Sequence, residues 1–252
     1  MFDSHFHLTD PHLAPTVANG VEIGAFFPEL PQVFAFAAAH ENVYCTAGVH
    51  PEFADQYSQS DFENFVVANL NHPKFVAIGE CGLDYHRASL PTREQQITVF
   101  ESQIALADKY HKPLVVHTRD AWEDTAAVLI RNKAKLKNGV LIHCMSYTAD
   151  NARYLLDKLA DIDVYFAFGG HITYKNKKFL HDTLRAIPQD RILIETDAPY
   201  LAPVPKMGEV NHPEYIMYTA RTMAEVLNLT VPEIETLTTN NAYRFYKIKT
   251  AS

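Results

Sequence analysis

Apolar and β-branched residues gather in eight short runs, at about residues 2 to 7, 21 to 27, 43 to 49, 75 to 80, 113 to 118, 139 to 143, 163 to 168 and 191 to 196. Runs of this length, bounded by turn-forming residues, predict buried strands. Between them the spacing becomes helical: Ile97, Phe100, Ile104, Ala107 and Tyr110 share one face, opened by Thr92 with Gln95 three residues later and stopped before Pro113. Ser60 with Glu63, Asp120 with Glu123, and Thr230 with Glu233 carry the same opening signature. Eight strand-then-helix units in 252 residues predict one α/β domain over residues 1–252, a (β/α)8 TIM barrel. A doubly wound open sheet shares the alternation but gathers its ligands at one switch point.

The ends of the strands repeat a chemical theme. Asp3-Ser4-His5-Phe6-His7 ends the first run with imidazoles two residues apart, which face the same way on a strand. Val76-Ala77-Ile78-Gly79 runs into Glu80, Leu114-Val115-Val116 into His117, Val140-Leu141-Ile142 into His143, and Ile192-Leu193-Ile194-Glu195-Thr196 into Asp197. In a closed barrel these ends share the C-terminal face, and strands one and eight become neighbours, bringing His5 and His7 to Asp197. Any one polar residue at a strand end needs no function. Six crowded at one mouth would be desolvated or mutually repelled without cations. Four imidazoles and two carboxylates exceed a single tetrahedral site, so two divalent ions are expected: one on His5, His7 and Asp197, the other on His117 and His143, with Glu80 as the bridge. Four imidazoles favour zinc, manganese or iron over magnesium, which prefers oxygen ligands.

Composition narrows the setting. With 47% hydrophobic and 21% charged residues the chain reads as an ordinary soluble globular protein. Its formal charge of −8 argues against bulk electrostatic capture of polyanions, so any nucleic-acid contact must be local. No apolar stretch approaches the roughly 18 residues of a membrane span, and no signal-type segment is seen, so a cytoplasmic location without membrane contact is expected. Cys45, Cys81 and Cys144 lie far apart, which predicts reduced, buried thiols rather than a disulfide framework.

Several longer strings carry a family resemblance along nearly the whole chain. Asp3-Ser4-His5-Phe6-His7-Leu8, Ala47-Gly48-Val49-His50-Pro51, Ile78-Gly79-Glu80-Cys81-Gly82-Leu83-Asp84-Tyr85, Val116-His117-Thr118-Arg119-Asp120-Ala121 and Glu195-Thr196-Asp197-Ala198-Pro199-Tyr200-Leu201-Ala202-Pro203 resemble motifs of the TatD family of metal-dependent deoxyribonucleases. Asn241-Ala242 with Arg244-Phe245 resembles the family's C-terminal helix. The resemblance implies phosphodiester hydrolysis of DNA, usually from the 3′ end, supported by magnesium or manganese. It also implies that His5, His7, Glu80, His117, His143 and Asp197 are ligands. The expected activity is therefore that of a 3′ to 5′ exonuclease on single-stranded or frayed ends, in which a metal-activated hydroxide attacks phosphorus. Asp197 and Glu80 are the expected catalytic carboxylates, Asp197 moving the proton. DNA is the expected partner, with no obligate protein partner. The alternatives are a hydrolase of the same scaffold acting on a small amide, ester or lactone, and a silent metal-binding protein.

Three stretches depart from the family pattern. Met145-Ser146-Tyr147 replaces Phe-Ser-Gly and puts a ring where the rim would be open; Lys206-Met207-Gly208-Glu209-Val210-Asn211-His212-Pro213 replaces a basic stretch; and Ala25-Phe26-Phe27-Pro28-Glu29 enters a helix through a short apolar loop. His50 is expected to hydrogen-bond a phosphate. Lys175, with Lys177 and Lys178 after Gly169-Gly170-His171-Ile172-Thr173, is expected to track one. Glu195 shares its facing with Asp197 and is expected to support the ligands, while Tyr85, Trp122 and Tyr147 are candidates for base stacking. Asp120 is expected to cap a helix, and His40 and His111 to sit at helix C-termini.

Overall fold

All eight expected strands form. In the computed structural model of the chain, which describes residues 1–8, 19–87 and 91–249, they are β1 (Asp3–Phe6), β2 (Gly20–Glu22), β3 (Val43–Ala47), β4 (Phe75–Asp84), β5 (Leu114–Arg119), β6 (Val140–Ile142), β7 (Val164–Phe168) and β8 (Ile192–Ile194). They join in chain order into one sheet, and each sequential pair is parallel. The helices are α1 (Leu30–Ala39), α2 (Gln59–Asn69), α3 (Arg93–Lys109), α4 (Trp122–Arg131), α5 (Ala149–Lys158), α6 (Phe179–Ala186), α7 (Ile216–Leu227) and α8 (Val231–Phe245). Where a helix was expected between β1 and β2, residues 9–18 lie outside the described residues; after β8 come two helices instead of one. Among the described residues no helix is long and apolar enough to cross a membrane.

Period-two alternation sorts the strand residues between two cores. Leu114, Val116, Val140, Ile142, Ile192 and Ile194 pack with the helices, whereas Val115, Leu141, Tyr165, Ala167 and Leu193 form a separate interior layer with Phe2, Val21 and Phe245 of α8. Continuing that inward facing by two residues reaches His117 from Val115, His143 from Leu141, and Glu195 then Asp197 from Leu193. The same sequence rule that fills the barrel therefore aims the polar residues into its mouth.

Closure between β8 and β1 is made by a mixture of backbone and side chain. Asp197 N–H donates to His5 O at 2.9 Å and His7 N–H to Ala198 O at 2.7 Å. The Asp3 carboxylate accepts from Thr196 N–H and Thr196 Oγ1 at 2.9 and 2.6 Å, and Ser4 Oγ donates to Ile194 O at 2.9 Å. These bonds bring residues at opposite ends of the sequence into contact.

Two of the expected caps fall elsewhere. Thr92 with Gln95 and Thr230 with Glu233 form reciprocal capping boxes, and Thr148 with Asn151 adds an unforeseen one. But α2 is capped by Ser58, whose hydroxyl accepts from Asp61 N–H, and Ser60 lies inside the helix. At α4 the N-cap is Ala121 without a side-chain bond; Asp120 has left-handed backbone (φ 52°), and its carboxylate meets His86 Nδ1 at 2.8 Å. The Asp120 carboxylate thus meets His86 instead of capping α4.

Candidate metal centre

Glu80 occupies the middle of the mouth because β4 is bulged beneath it. Ile78 pairs with Leu114 but Cys81 with Val116, so β4 carries one residue more than β5 between those pairs. Bulges re-aim a side chain, and here the Glu80 amide donates to Gly24 O at 3.0 Å. Two glycines permit it. Gly79 has a φ of 127°, and a Cβ on Gly48 would lie 2.4 to 2.5 Å from the Gly79 and Glu80 backbone. The expectation that Glu80 closes the strand is corrected: β4 continues to Asp84.

The two Glu80 oxygens face different pairs of imidazoles. Oε2 lies 3.4 Å from His5 Nε2 and 3.5 Å from His7 Nε2, and Asp197 Oδ1 completes this group at 3.7 and 3.6 Å from the same nitrogens. Oε1 lies 2.9 Å from both His117 Nδ1 and His143 Nε2. Within each pair the nitrogens are 3.2 Å apart. Two nitrogens bound to one tetrahedral ion at about 2.0–2.1 Å stand roughly 3.3 Å apart. Five edges of the four-atom group His5, His7, Glu80 and Asp197 run from 3.2 to 3.7 Å, so the donor set fits a cation.

Supporting carboxylates orient the rings. His117 turns Nδ1 inward because its Nε2 meets Asp84 Oδ2 at 3.1 Å. His143 turns Nε2 inward, with Nδ1 facing Glu195 Oε1 at 3.7 Å; that same oxygen accepts from Cys144 N–H. The role expected of Glu195 thus has a geometry. Asp84, which sequence reasoning leaves without a role, lies four residues beyond Glu80 on β4 and so shares its facing.

Charge is concentrated and unevenly held. Burial would raise the Glu80 carboxyl, but His143 and His5 outweigh it and hold it well below the ordinary range. Burial would lower His143 and His117; Glu80 with Glu195, and Asp84 with Glu80, respectively, keep both raised. Burial lowers His5 and, with His5 beside it, takes His7 down to about 4. Asp197, left-handed at φ 55°, is pushed well above its usual value by burial. Carboxylates and imidazoles that compete in this way for protons are relieved by a cation.

The family model for TatD related DNase matches residues 2–247. The chain belongs to the TatD family. It is 35% identical over 260 residues to the uncharacterized metal-dependent hydrolase YabD of Bacillus subtilis, covering 98% of this chain and 99% of that one. It is 34% identical over 264 residues to YcfH of Escherichia coli K12, described in the same words, covering 98% and 96%. Among solved structures, the TatD homologue YJJV of Escherichia coli superposes with a TM-score of 0.88 at 24% identity, over 98% of both chains, which supports the barrel fold. The protein is thus a metal-dependent hydrolase.

On this TatD scaffold the other expected contacts divide. His50 joins the mouth: Nε2 is 3.8 Å from Glu80 Oε1, and its ring is 4.4 Å from that of His117. Its Nδ1 accepts from Glu52 N–H, so in the neutral ring the hydrogen sits on Nε2 and faces the cluster; burial and His117 take its pKa down to about 3. Lys175 is not gathered in; it is exposed on a 3-10 turn after β7. His171 is buried, with Nε2 2.9 Å from Met145 O. Of the three candidate stacking rings one is buried and two are half-buried. Trp122 is buried 4.8 Å from the Tyr147 ring, the Tyr147 hydroxyl meets Thr118 and Ala121, and the Tyr85 hydroxyl donates to Asp124. The Tyr147 ring thus lies against the start of α4.

Proposed function

We propose that this protein hydrolyses phosphodiester bonds of DNA, acting as an exonuclease on single-stranded ends in the 3′ to 5′ direction. The observation that carries the reading is the split of Glu80, whose two oxygens each face a separate pair of imidazole nitrogens. Such a carboxylate suits a pair of cations, as expected for in-line displacement at phosphorus. His5, His7 and Asp197 would hold one ion and His117 and His143 the other, with Glu80 shared. Zinc or manganese suits the nitrogen-rich set better than magnesium. When bound, the ions would supply Lewis-acid activation of water and neutralise charge on the phosphoryl oxygens.

The chain's own groups would do the rest. His50 presents Nε2–H to a non-bridging oxygen and stays neutral, so it donates without taking up the proton. Asp197 lies beside His5 and His7, where its carboxyl would accept the proton of the attacking water and return it to the leaving oxygen. Asp84 and Glu195 hold the rings of His117 and His143 in the orientation that directs lone pairs inward.

The decisive experiment compares chelated and manganese- or zinc-reconstituted protein on 3′- and 5′-labelled single strands beside a panel of small esters and amides. Metal-dependent shortening from the labelled 3′ end is expected. Hydrolysis confined to the small substrates would overturn the reading. Asp197→Asn should cost far more in turnover than in metal content; equal loss of both would reduce Asp197 to a ligand.

A further inference from the structure

The loop from 198 to 212 carries exposed apolar side chains at Tyr200, Leu201, Val204, Met207 and Val210. Its backbone is fixed. Buried Asn211 donates from Nδ2 to Thr196 O and Tyr200 O, both at 2.7 Å, and Tyr200 N–H donates to Asp197 O at 2.8 Å. Tyr174 Oη donates to Ala202 O, and Leu201 O lies 2.2 Å from where a Cβ on Gly170 would be. On this hydrogen-bonded stretch Tyr200 is 60% exposed, and its ring meets the His7 ring at 68° with centroids 6.0 Å apart.

An exposed ring on a fixed backbone, one ring away from the candidate ligands, costs little to order and offers a face to whatever sits at the mouth. The loop's charge points the same way. Lys206 is paired with Glu209 at 3.2 Å and lies over the Tyr215 ring, so the stretch presents a neutral apolar surface instead of a phosphate clamp. Tyr200 brings an exposed ring to within 6.0 Å of the His7 ring, beside the candidate ligands.

We propose that Tyr200 is a specificity-determining residue: the platform on which the nucleobase next to the scissile phosphate stacks. The proposal rests on the phosphodiester reading. It adds that the enzyme recognises an aromatic base one sugar away from the phosphorus, and that the base must be unpaired and free to swing out. That requirement favours single-stranded ends over intact duplex.

The test uses the metal-loaded full chain and two chromogenic phosphodiesters with the same leaving group, the p-nitrophenyl ester of thymidine 5′-monophosphate and methyl p-nitrophenyl phosphate, with the thymidine 3′-monophosphate ester run in parallel. Wild type should prefer at least one nucleoside ester. Tyr200→Ala should reduce that preference in kcat/KM by on the order of tenfold, and Tyr200→Phe should retain it. Equal effects on nucleoside and methyl esters, or an unchanged ratio, would overturn the proposal while leaving phosphodiester hydrolysis standing. If wild type hydrolyses neither class and also leaves labelled single strands intact, the phosphodiester reading fails. Calorimetric binding of thymidine monophosphate then decides the platform: weakening by about tenfold in Tyr200→Ala supports it, and no binding or unchanged binding sinks it.

Discussion

Gly48→Ala offers the sharpest check on how the metal centre is built. The added methyl would sit 2.4 Å from Gly79 C and 2.5 Å from Glu80 N and O, all of them backbone atoms that no rotamer change can move. Restoring an ordinary contact, which begins at 3.4 Å, requires β3 and the bulge of β4 to part by about 1 Å in a close-packed interior. Metal–ligand distances tolerate only about 0.2 Å, so Glu80 cannot yield that far and still serve both imidazole pairs. Overpacking of this kind costs about 1–3 kcal/mol, or roughly 2–12 °C in melting temperature for a chain of this size. The functional loss should be larger in proportion: at least about tenfold in metal affinity and on the order of a hundredfold in turnover from misplacement by 1 Å. The assays are calorimetric manganese or zinc titration, thermal melting and turnover on a single-stranded oligonucleotide. Gly139→Ala is the control. That residue, with φ 98° and near Phe245, precedes β6 at the far end of the barrel, so its substitution should cost about 1–2 kcal/mol through backbone strain and leave metal affinity unchanged. A Gly48→Ala protein that melts lower yet binds metal as wild type does would refute the claim that Gly48 sets the position of Glu80.

Two further predictions probe the same centre. Asp84→Asn removes the charge behind His117 Nε2 and should weaken metal binding by about 10–100-fold with the fold intact; unchanged affinity would leave Asp84 with only its hydrogen bond to His86 N–H, 2.9 Å long. Metal binding at pH 7 should release about one proton or more per chain, because His143, His117 and Asp197 all hold protons more tightly than usual and a cation must displace them. Release should diminish as pH rises and these groups deprotonate unaided. Titrations in buffers of different ionisation enthalpy measure it, and a proton count of zero at pH 7 would contradict the electrostatics described above.

Much of this centre is legible in the sequence because strand facing has a period of two. Once Val115, Leu141 and Leu193 are assigned to the barrel interior, His117, His143, Glu195 and Asp197 follow without three-dimensional information, and the same count from Glu80 reaches Asp84. Facing is a local property, which is why it survives in a one-dimensional reading. What stayed hidden depends on meetings between distant segments. Asp120 leaves its expected cap because His86 stands opposite it, and Trp122 is buried against the Tyr147 ring, a meeting of two different segments. The bulge under Glu80 requires the emptiness of Gly48, a residue just past the end of β3. Closure is the strongest case, since the side-chain bonds of Asp3 to Thr196 join positions 193 apart in sequence. A carboxylate there does what a regular ladder would do elsewhere, and it leaves Asp197 N–H free to bond His5 O. The opening and closing motifs are therefore a single structural unit, and the His5–His7–Asp197 group depends on the end-to-end contact as much as on any of its own side chains.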